Sequence, residues 1–511
     1  MKIKHLFLLL SLMSSLMGYA QGFEALPRMG MPHDFDVQET ATRATGDYLW
    51  QEFPTIGEAK AVVILVAFAD VPFSVEADSI NSLLSKRYNA DNYAEEVNID
   101  EYSQAYGQQL KMKVSIPGSA RDYFREQSLG LYVPTFDVIG PVTLDNNRAY
   151  YGGNKNNKSG NDVNTSDMIS EACRKAYSMG LTDFTDYDNN GDGIVDIVYV
   201  VYAGCDEAQT DAAPNKTPDA VWAKASSISL TLENGMRVKR YACSGELVMD
   251  LPEVAGIGTF VHEFSHILGL PDFYNTADPA NTSLSMDVWS VMDYGMYNAQ
   301  GFVPCGYTAF ERYSLGWLPM TTLEEPATMS IGTTKEEGAG YRIFVADDAV
   351  AHADTASFYL VETIRREGWN SYAYAEGLLV SQVTYLASAW RGNKVNAEAA
   401  YRHYVVPANN NWSFVTGYNP TKHLYGAANH EFTLTSVPAS ITQTGAAMDK
   451  PLTDINYDAA TGRTTFHFRG GSGMKDVVTD EGEHTRMYDL LGRPVQGGAE
   501  GVVIRNGKKY F

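Results

Sequence analysis

"VHEFSHILGLPDFY", residues 261–274, introduces charged and polar side chains into a stretch that is otherwise mostly apolar. We predict a helix over residues 254–268. In this helix Phe260, Phe264 and Ile267 recur at i, i+4 and i+7 and form one stripe that faces the core. The rest of the fold must therefore supply a hydrophobic surface for that stripe, while the polar side chains lie on another face.

The polar face of this helix carries the candidate chemistry. His262 and His266 lie one turn apart and can bind one metal ion together, while Glu263 can reach a metal-bound water as a general base, the HExxH arrangement. Gly269 permits a sharp turn that returns Asp272 toward the same metal, which gives the three protein ligands of a catalytic zinc site. Two alternatives stay open here: satisfied core histidines, and another carboxylate as third ligand.

A second motif, SVMDYG, follows at residues 290–295. In zinc peptidases of the metzincin type, a methionine turn forms a hydrophobic floor beneath the metal, and Met292 fits that place. Tyr294 is then expected near the metal, as a labile ligand or as a donor to the developing oxyanion. The alternative is a methionine that simply packs in a turn.

A third motif, DYDNNGDGIVD, spaces oxygen-bearing side chains at alternate positions before an apolar run. Hard cations prefer such oxygens, and Gly193 permits the tight bend between them. The bidentate glutamate of a full EF-hand is absent, and an acidic, solvated turn is the alternative. We predict a structural calcium site formed by Asp186, Asp188, Asn190, Asp192, the Ile194 carbonyl and Asp196.

Composition and charge limit the possible classes of protein. The chain has 511 residues, 44% of them hydrophobic and 12% aromatic, and a formal net charge of −23. These values predict two or three globular domains and argue against nucleic acid or anionic membranes as partners. The cysteines have no CxxC spacing, so they could form up to two disulfides or remain buried thiols. They are Cys173, Cys205, Cys243 and Cys305.

The N-terminus predicts export. Two lysines precede a short apolar run that ends near Ala20, which is typical of a cleaved secretory signal at residues 1–20. An uncleaved anchor is the alternative, but the run is short for a bilayer, and no later stretch is long and apolar enough to span one. Residues 21–50 are polar and show no period, which indicates a leader or short pro-segment.

The residue patterns along the rest of the chain predict two folded domains and a tail. Strands at 59–70 and 193–204 alternate with helices at 119–128 and 165–180, which indicates an α/β catalytic domain. Segments such as GYRIFVADD and GLLVSQVTYL then alternate and are rich in β-formers. The predicted divisions are a catalytic domain over 51–325, a β-rich domain over 326–469, and a linker and tail over 470–511.

Together these stretches resemble the immune inhibitor A-type metallopeptidases, secreted bacterial zinc proteases related to the metzincins. Matching segments follow in order over about residues 45–470 and include AVVILVAFAD, HEFSHILGLPDFY, WSVMDYG and YTAFERYSLGWL. The resemblance implies a metzincin-like α/β catalytic domain, a mixed sheet plus active-site helix, followed by a mostly β C-terminal domain. It also implies a secreted zinc endopeptidase for protein or peptide substrates, with His262, His266 and Asp272 as ligands and Glu263 as base.

The end of the chain, with MYDLLGRPV and GVVIRNGKKYF, resembles the C-terminal sorting segments of Bacteroidetes secreted proteins. That resemblance implies transport across the outer membrane, contact with sorting machinery and retention at the surface; a simple β-hairpin extension is the alternative. Two other functions stay open: a calcium-dependent surface binding protein with an inert site, and a zinc hydrolase of non-protein substrates.

Overall fold

The computed structural model describes most of the chain beyond its first fifty residues. The predicted signal peptide and leader lie outside the described residues. The described ranges are 53–103, 108–210, 217–248, 253–277, 281–346 and 355–470, with short strands between 487 and 510.

The first half of the described chain mixes helices and strands, as predicted. Its strands are β1 (Lys60–Ala67), β2 (Glu95–Ser103), β3 (Gln108–Ile116), β4 (Thr135–Thr143), β5 (Ile194–Val195), β6 (Val198–Cys205), β7 (Lys224–Thr231) and β8 (Arg237–Leu247). Its helices are α1 (Ala77–Asn89), α2 (Ala120–Gln127), α3 (Arg148–Gly152), α4 (Thr165–Ser178), α5 (Glu207–Thr210), α6 (Gly258–Ile267) and α7 (Ala309–Ser314).

These strands form a mixed six-stranded sheet in the order β4-β1-β6-β8-β5. The pairs along this path are parallel, and β7 adds to β8 in the antiparallel sense. Seven of the eight residues of β1 are buried, which fits the continuous apolar run that predicted the strand. The strands β2 and β3 form a separate antiparallel hairpin.

The predicted strand at 193–204 is interrupted. Its two parts, β5 and β6, both pair with β8. Between them the backbone N–H of Asp196 donates to the carbonyl of Tyr187 instead of to the sheet. This bond to the acidic loop therefore interrupts the pairing with β8 between β5 and β6.

Two predicted helices form with small differences at their ends. Helix α2 begins with a reciprocal capping box between Ser119 and Asp122. The helix predicted at 254–268 begins only at Gly258, where the backbone lies against that of Met296 and Gly301. A side chain at that position would collide with the Met296 carbonyl, so glycine permits this close approach.

Helix α6 is buried along its whole length, and its aromatic stripe faces the core as predicted. The Phe260 ring stacks on Tyr88 of α1 at 4.1 Å and meets Phe136 of β4 at 5.0 Å and Tyr199 of β6 at 4.4 Å between ring centroids. One side chain thus ties the helix to a second helix and two sheet strands.

The second half of the described chain is mostly strands, joined by short helices. Its strands are β9 (Met320–Thr322), β10 (Ala327–Ile331), β11 (Gly340–Phe344), β12 (Thr355–Ile364), β13 (Gly377–Leu386), β14 (His403–Val405), β15 (Leu452–Asp458) and β16 (Arg463–Phe468). Its helices are α8 (Thr334–Glu337) and α9 (Ala387–Arg391). They build a five-stranded sheet, β14-β13-β12-β11-β9, and a three-stranded sheet, β10-β16-β15.

One of the hydrophobic clusters of the described residues spans both halves. The cluster that contains Phe260 and Phe264 continues through Phe310 of α7 to Phe358 of β12 and Trp390 of α9. Packing is therefore continuous across residue 325, although the sequence changes character there. The domain limits stay a prediction.

Short strands near the C-terminus pair with one another in the order β18-β17-β19-β20. They are β17 (Met487–Asp489), β18 (Pro494–Val495), β19 (Val503–Arg505) and β20 (Lys508–Tyr510). All four cysteines are free and buried, so the thiol alternative holds in the structure. Within the described ranges, every helix is too short or too polar to cross a bilayer.

Replacing Phe260 by alanine should lower the free energy of unfolding by about 3–5 kcal/mol, because the cavity opens where helix α6 meets three other elements. Chemical denaturation of the metal-free protein measures this without the contribution of a bound ion. Met179→Ala is the matched control: Met179 is 59% exposed, and its loss should change stability by about 0.5 kcal/mol or less. Equal losses for both variants would contradict the role assigned to Phe260.

Candidate metal centre

The stretch that begins at residue 261 folds into a helix, a tight turn and a returning segment. Helix α6 carries His262, Glu263 and His266. Its end is closed by bonds from the N–H of Gly269 to the His266 carbonyl and from Leu270 to Ser265, both 3.0 Å. Gly269 has a φ of 104°, a left-handed value that glycine adopts without strain. The chain thereby reverses, as predicted, and brings Asp272 back over the helix.

Three side-chain atoms converge beside the helix. The Oδ1 atom of Asp272 lies 3.3 Å from Nε2 of His262 and 3.3 Å from Nε2 of His266. Two ligands held about 2.0–2.1 Å from a tetrahedral zinc ion are separated by about 3.3–3.4 Å, so these spacings match that geometry. The two imidazole rings are nearly perpendicular, at 85°, and do not stack.

Backbone carbonyls orient both imidazoles. Nδ1 of His262 lies 2.8 Å from the carbonyl oxygen of Val291, and Nδ1 of His266 lies 2.8 Å from that of Leu270. A carbonyl only accepts, so each Nδ1 carries a proton, and in a neutral ring Nε2 is then the atom with the lone pair that a metal would use. This is the arrangement that metal-ligating histidines usually have.

Buried polar atoms without partners mark the same point. Nε2 of His262, Oδ1 of Asp272 and Oε2 of Glu263 are all buried and make no hydrogen bond. An unsatisfied buried polar atom costs about 1–3 kcal/mol, and more when it is charged. A cation placed between them would remove that cost, so the residues present fit a metal ion.

Glu263 also lies close to both imidazoles. The ligand atoms of His262, Glu263 and His266 fall within 4.8 Å of one another, the sole such group of three His, Cys, Asp or Glu in the described ranges. Oδ1 of Asp272 faces the same two imidazoles, at 3.3 Å from each Nε2. Each carboxylate therefore forms its own triangle with the shared histidines.

The pKa values of the Glu263 and Asp272 carboxyl groups are shifted in opposite directions. Burial raises the pKa of Glu263 to about 8, and the neighbouring Asp272 adds to this while His262 opposes it. Burial would also raise the pKa of Asp272, but His266 and His262 outweigh it and hold the pKa of that carboxyl well below its usual range. Asp272 is thus the permanent anion of the site, and Glu263 can hold a proton near neutral pH.

Two residues that the sequence analysis did not single out contact Asp272. Nδ2 of Asn393 donates to Oδ2 of Asp272 at 2.7 Å, and Oδ1 of Asn393 accepts from the backbone N–H of Asp272 at 2.7 Å. The phenol of Tyr274 lies in the field of Asp272, since burial and the charge of Asp272 both raise the pKa of that phenol. Tyr274 lies in the opening stretch, two positions after Asp272, whereas no feature of the sequence points to Asn393.

The predicted methionine turn lies against the site. Met292 is fully buried, and its carbonyl accepts from the backbone N–H of Phe273, next to Asp272. The preceding residue, Val291, supplies the carbonyl that orients His262. The turn therefore fastens the returning segment and one imidazole at once.

Tyr294, the predicted metal-side tyrosine, packs its ring against Tyr297 and Phe414, at 6.4 and 6.3 Å between centroids. These contacts do not place its hydroxyl beside the imidazoles. The hydroxyl of Tyr297 is buried without a hydrogen-bond partner. Burial raises the pKa of Tyr297, and the negative charges of Asp206 and Glu263 add to this. Tyr297 is thus a neutral hydroxyl in the field of Glu263.

The loop predicted to bind calcium is held by its own backbone. Carboxylate oxygens of Asp188 accept from the N–H groups of Gly191, Asp192 and Gly193, and Oδ1 of Asn190 accepts from Asp192. Asp192 likewise accepts from Ile194 and Asp196 from Asn189, and Asp186 pairs with Lys60. In the described chain the carboxylates of this loop do not form a group of three ligands. The calcium site stays a prediction.

Comparison with known proteins agrees with this geometry. A family model described as immune inhibitor A peptidase M6, catalytic domain, matches residues 51–318, slightly more than half of the chain. The chain is 25% identical over 261 residues to Immune inhibitor A of Bacillus thuringiensis subsp. alesti, covering 47% of this chain and 36% of that protein. It is 24% identical over 282 residues to Pre-pro-metalloprotease PrtV of Vibrio cholerae serotype O1, covering 50% and 29% respectively.

The matched segments therefore span only about a third of the length of these relatives. The family match over residues 51–318 includes His262, Glu263, His266 and Asp272 together with the methionine turn. Because the family match and the site coincide, the chain belongs to the immune inhibitor A peptidase M6 family.

Proposed function

We propose that this protein is an exported zinc-dependent endopeptidase that hydrolyses peptide bonds of extracellular proteins. The observation that carries the proposal is the convergence of the Asp272 carboxylate on two imidazoles whose Nε2 atoms face it at equal distances. Two histidines and one carboxylate leave the fourth position of a tetrahedral zinc ion for water or substrate.

His262, His266 and Asp272 are the proposed zinc ligands. When bound, zinc would lower the pKa of a coordinated water toward about 7 and polarise the scissile carbonyl. Asp272 is preferred over Glu263 as the third ligand because its Oδ1 atom approaches both Nε2 atoms. Glu263 follows His262 directly, and consecutive helix positions project in different directions, which suits a role beside the metal.

Glu263 is the proposed general base. Its Oε2 atom has no hydrogen-bond partner, so it is available to accept a proton from the attacking water. Once protonated, the same carboxyl is a neutral acid that can pass the proton to the nitrogen of the leaving amine. One buried side chain can therefore serve as base and as acid in turn.

A hydroxyl donor would complete the site by stabilising the developing oxyanion. Tyr294 is the residue that the sequence pattern favours, as donor or labile ligand. Tyr297 is a second candidate, because its buried hydroxyl has no hydrogen-bond partner and lies in the field of Glu263.

Export, sorting and calcium are proposals that rest on the sequence. The signal at residues 1–20 supports secretion, and the tail at 470–511 supports contact with sorting machinery and retention at the outer surface. The alternation of oxygen side chains over residues 186–196 supports a structural calcium ion.

Glu263→Gln should retain zinc and lose about 10²–10⁴-fold in kcat, because the amide keeps the shape of the side chain but cannot accept the proton. Casein degradation gives the rate, and elemental analysis gives the zinc content. Glu233→Gln, on the surface, is the control and should be fully active. A Glu263→Gln variant as active as the wild type would remove the base assignment.

His262→Ala should lose both zinc and proteolysis, since one of three ligands is gone. His467→Ala, a half-exposed histidine far along the chain, should lose neither. Treating the wild type with a chelator should stop casein degradation, and added zinc should restore it. Stoichiometric zinc without any cleavage of casein would favour an inert binding protein or a hydrolase of other substrates.

Calcium should raise the thermal unfolding temperature of the wild type. Saturation to about 100 times the dissociation constant would stabilise the folded state by about 2.7 kcal/mol. Asp188→Ala should abolish this increment, whereas Asp219→Ala, outside the loop, should keep it. An unfolding temperature that calcium leaves unchanged in the wild type would reject the calcium site.

A further inference from the structure

Asn393 reaches the metal centre from the second half of the chain. It follows helix α9 and has a left-handed φ of 51°. Asparagine is one of the few residues other than glycine that adopt this conformation readily. The turn is closed by a bond from the N–H of Lys394 to the carbonyl of Ala389, and the Asn393 carbonyl accepts from the hydroxyl of Thr276.

The side chain of Asn393 makes two opposed hydrogen bonds to the same residue. Its Nδ2 donates to Oδ2 of Asp272, and its Oδ1 accepts from the backbone N–H of Asp272, both at 2.7 Å. Only one orientation of the amide satisfies both, because the N–H can only donate and the carboxylate can only accept. The amide therefore fixes both the backbone and the carboxylate plane of Asp272.

The two oxygens of the Asp272 carboxylate therefore make different contacts. Oδ2 is occupied by the amide, and Oδ1 remains without a hydrogen bond and faces both Nε2 atoms. Without the amide, the side chain could rotate or present both oxygens, and the separation of about 3.3 Å that suits tetrahedral zinc would no longer be enforced.

We propose that Asn393 is a positioning residue for the metal centre, which holds Asp272 so that it binds zinc through Oδ1 alone. This inference rests on the proposed zinc site. It adds that residues beyond the 51–318 match with the peptidase family complete that site. The β-rich half thus contributes to metal affinity as well as to packing.

The test compares zinc affinity among full-length variants. Asn393→Gly removes the amide yet tolerates the left-handed backbone, and competition with a chelator of known affinity measures the zinc dissociation constant. We expect this constant to rise by about 10–100-fold, the usual effect of removing a residue that orients a ligand. If that variant fails to fold, Asn393→Ser offers the same comparison with a residue that cannot span both bonds.

Two controls isolate the amide. Asn157→Gly replaces another asparagine with a left-handed φ, 54°, in an exposed loop away from the site. Thr276→Val removes the hydroxyl bond to the Asn393 carbonyl and leaves the side-chain amide in place. Both should bind zinc like the wild type.

Thermal unfolding with and without zinc separates positioning from simple support. A positioning role predicts that Asn393→Gly reduces the increment that zinc adds to the unfolding temperature. Equal losses in both states, with zinc affinity unchanged, would overturn the inference and leave the proposed zinc site intact. A wild type that takes up no zinc would instead overturn the proposed function and this inference with it.

Discussion

The structure is organised around a buried carboxylate that faces two imidazole nitrogens, each at 3.3 Å. Charges in the interior are costly unless they are paired or bind a metal, so three such atoms at one point require surroundings that hold them there. The carbonyls of Val291 and Leu270 hold the rings, and the amide of Asn393 holds the acid. Each comes from a different turn, and the rigidity of the site depends on all of them.

The hydrophobic core supplies that rigidity. Phe260 packs the helix against α1 and the sheet, on the side opposite His262 and His266. The same cluster extends through Phe310 and Trp390, whose helix precedes Asn393. Because packed interiors yield little, a helix and a turn far apart in the sequence can be held to within the tolerance of a metal site. The geometry of the candidate site therefore depends on the packing of the hydrophobic core.

Much of the site could be predicted because its parts are local. The i, i+4 spacing of His262 and His266 places their rings side by side on any helix, and Gly269 permits the turn that returns Asp272. The aromatic stripe was visible for the same reason. The break in the strand predicted at 193–204 could not be predicted in this way. It arises because the backbone N–H of Asp196 donates to the carbonyl of Tyr187, and no local sequence pattern indicates that bond.

The sequence by itself determined the spacing of His262, Glu263 and His266, the core face of the helix and the alternation that marks the strands, because these depend on helix and strand periods alone. Only the tertiary structure decided which oxygen of Asp272 faces the imidazoles, that the Tyr297 hydroxyl near Glu263 is buried without a partner, and that Asn393 holds Asp272 from 121 residues away. Such contacts arise where separate segments meet, and their geometry is set by the packing of the whole core and by no local period.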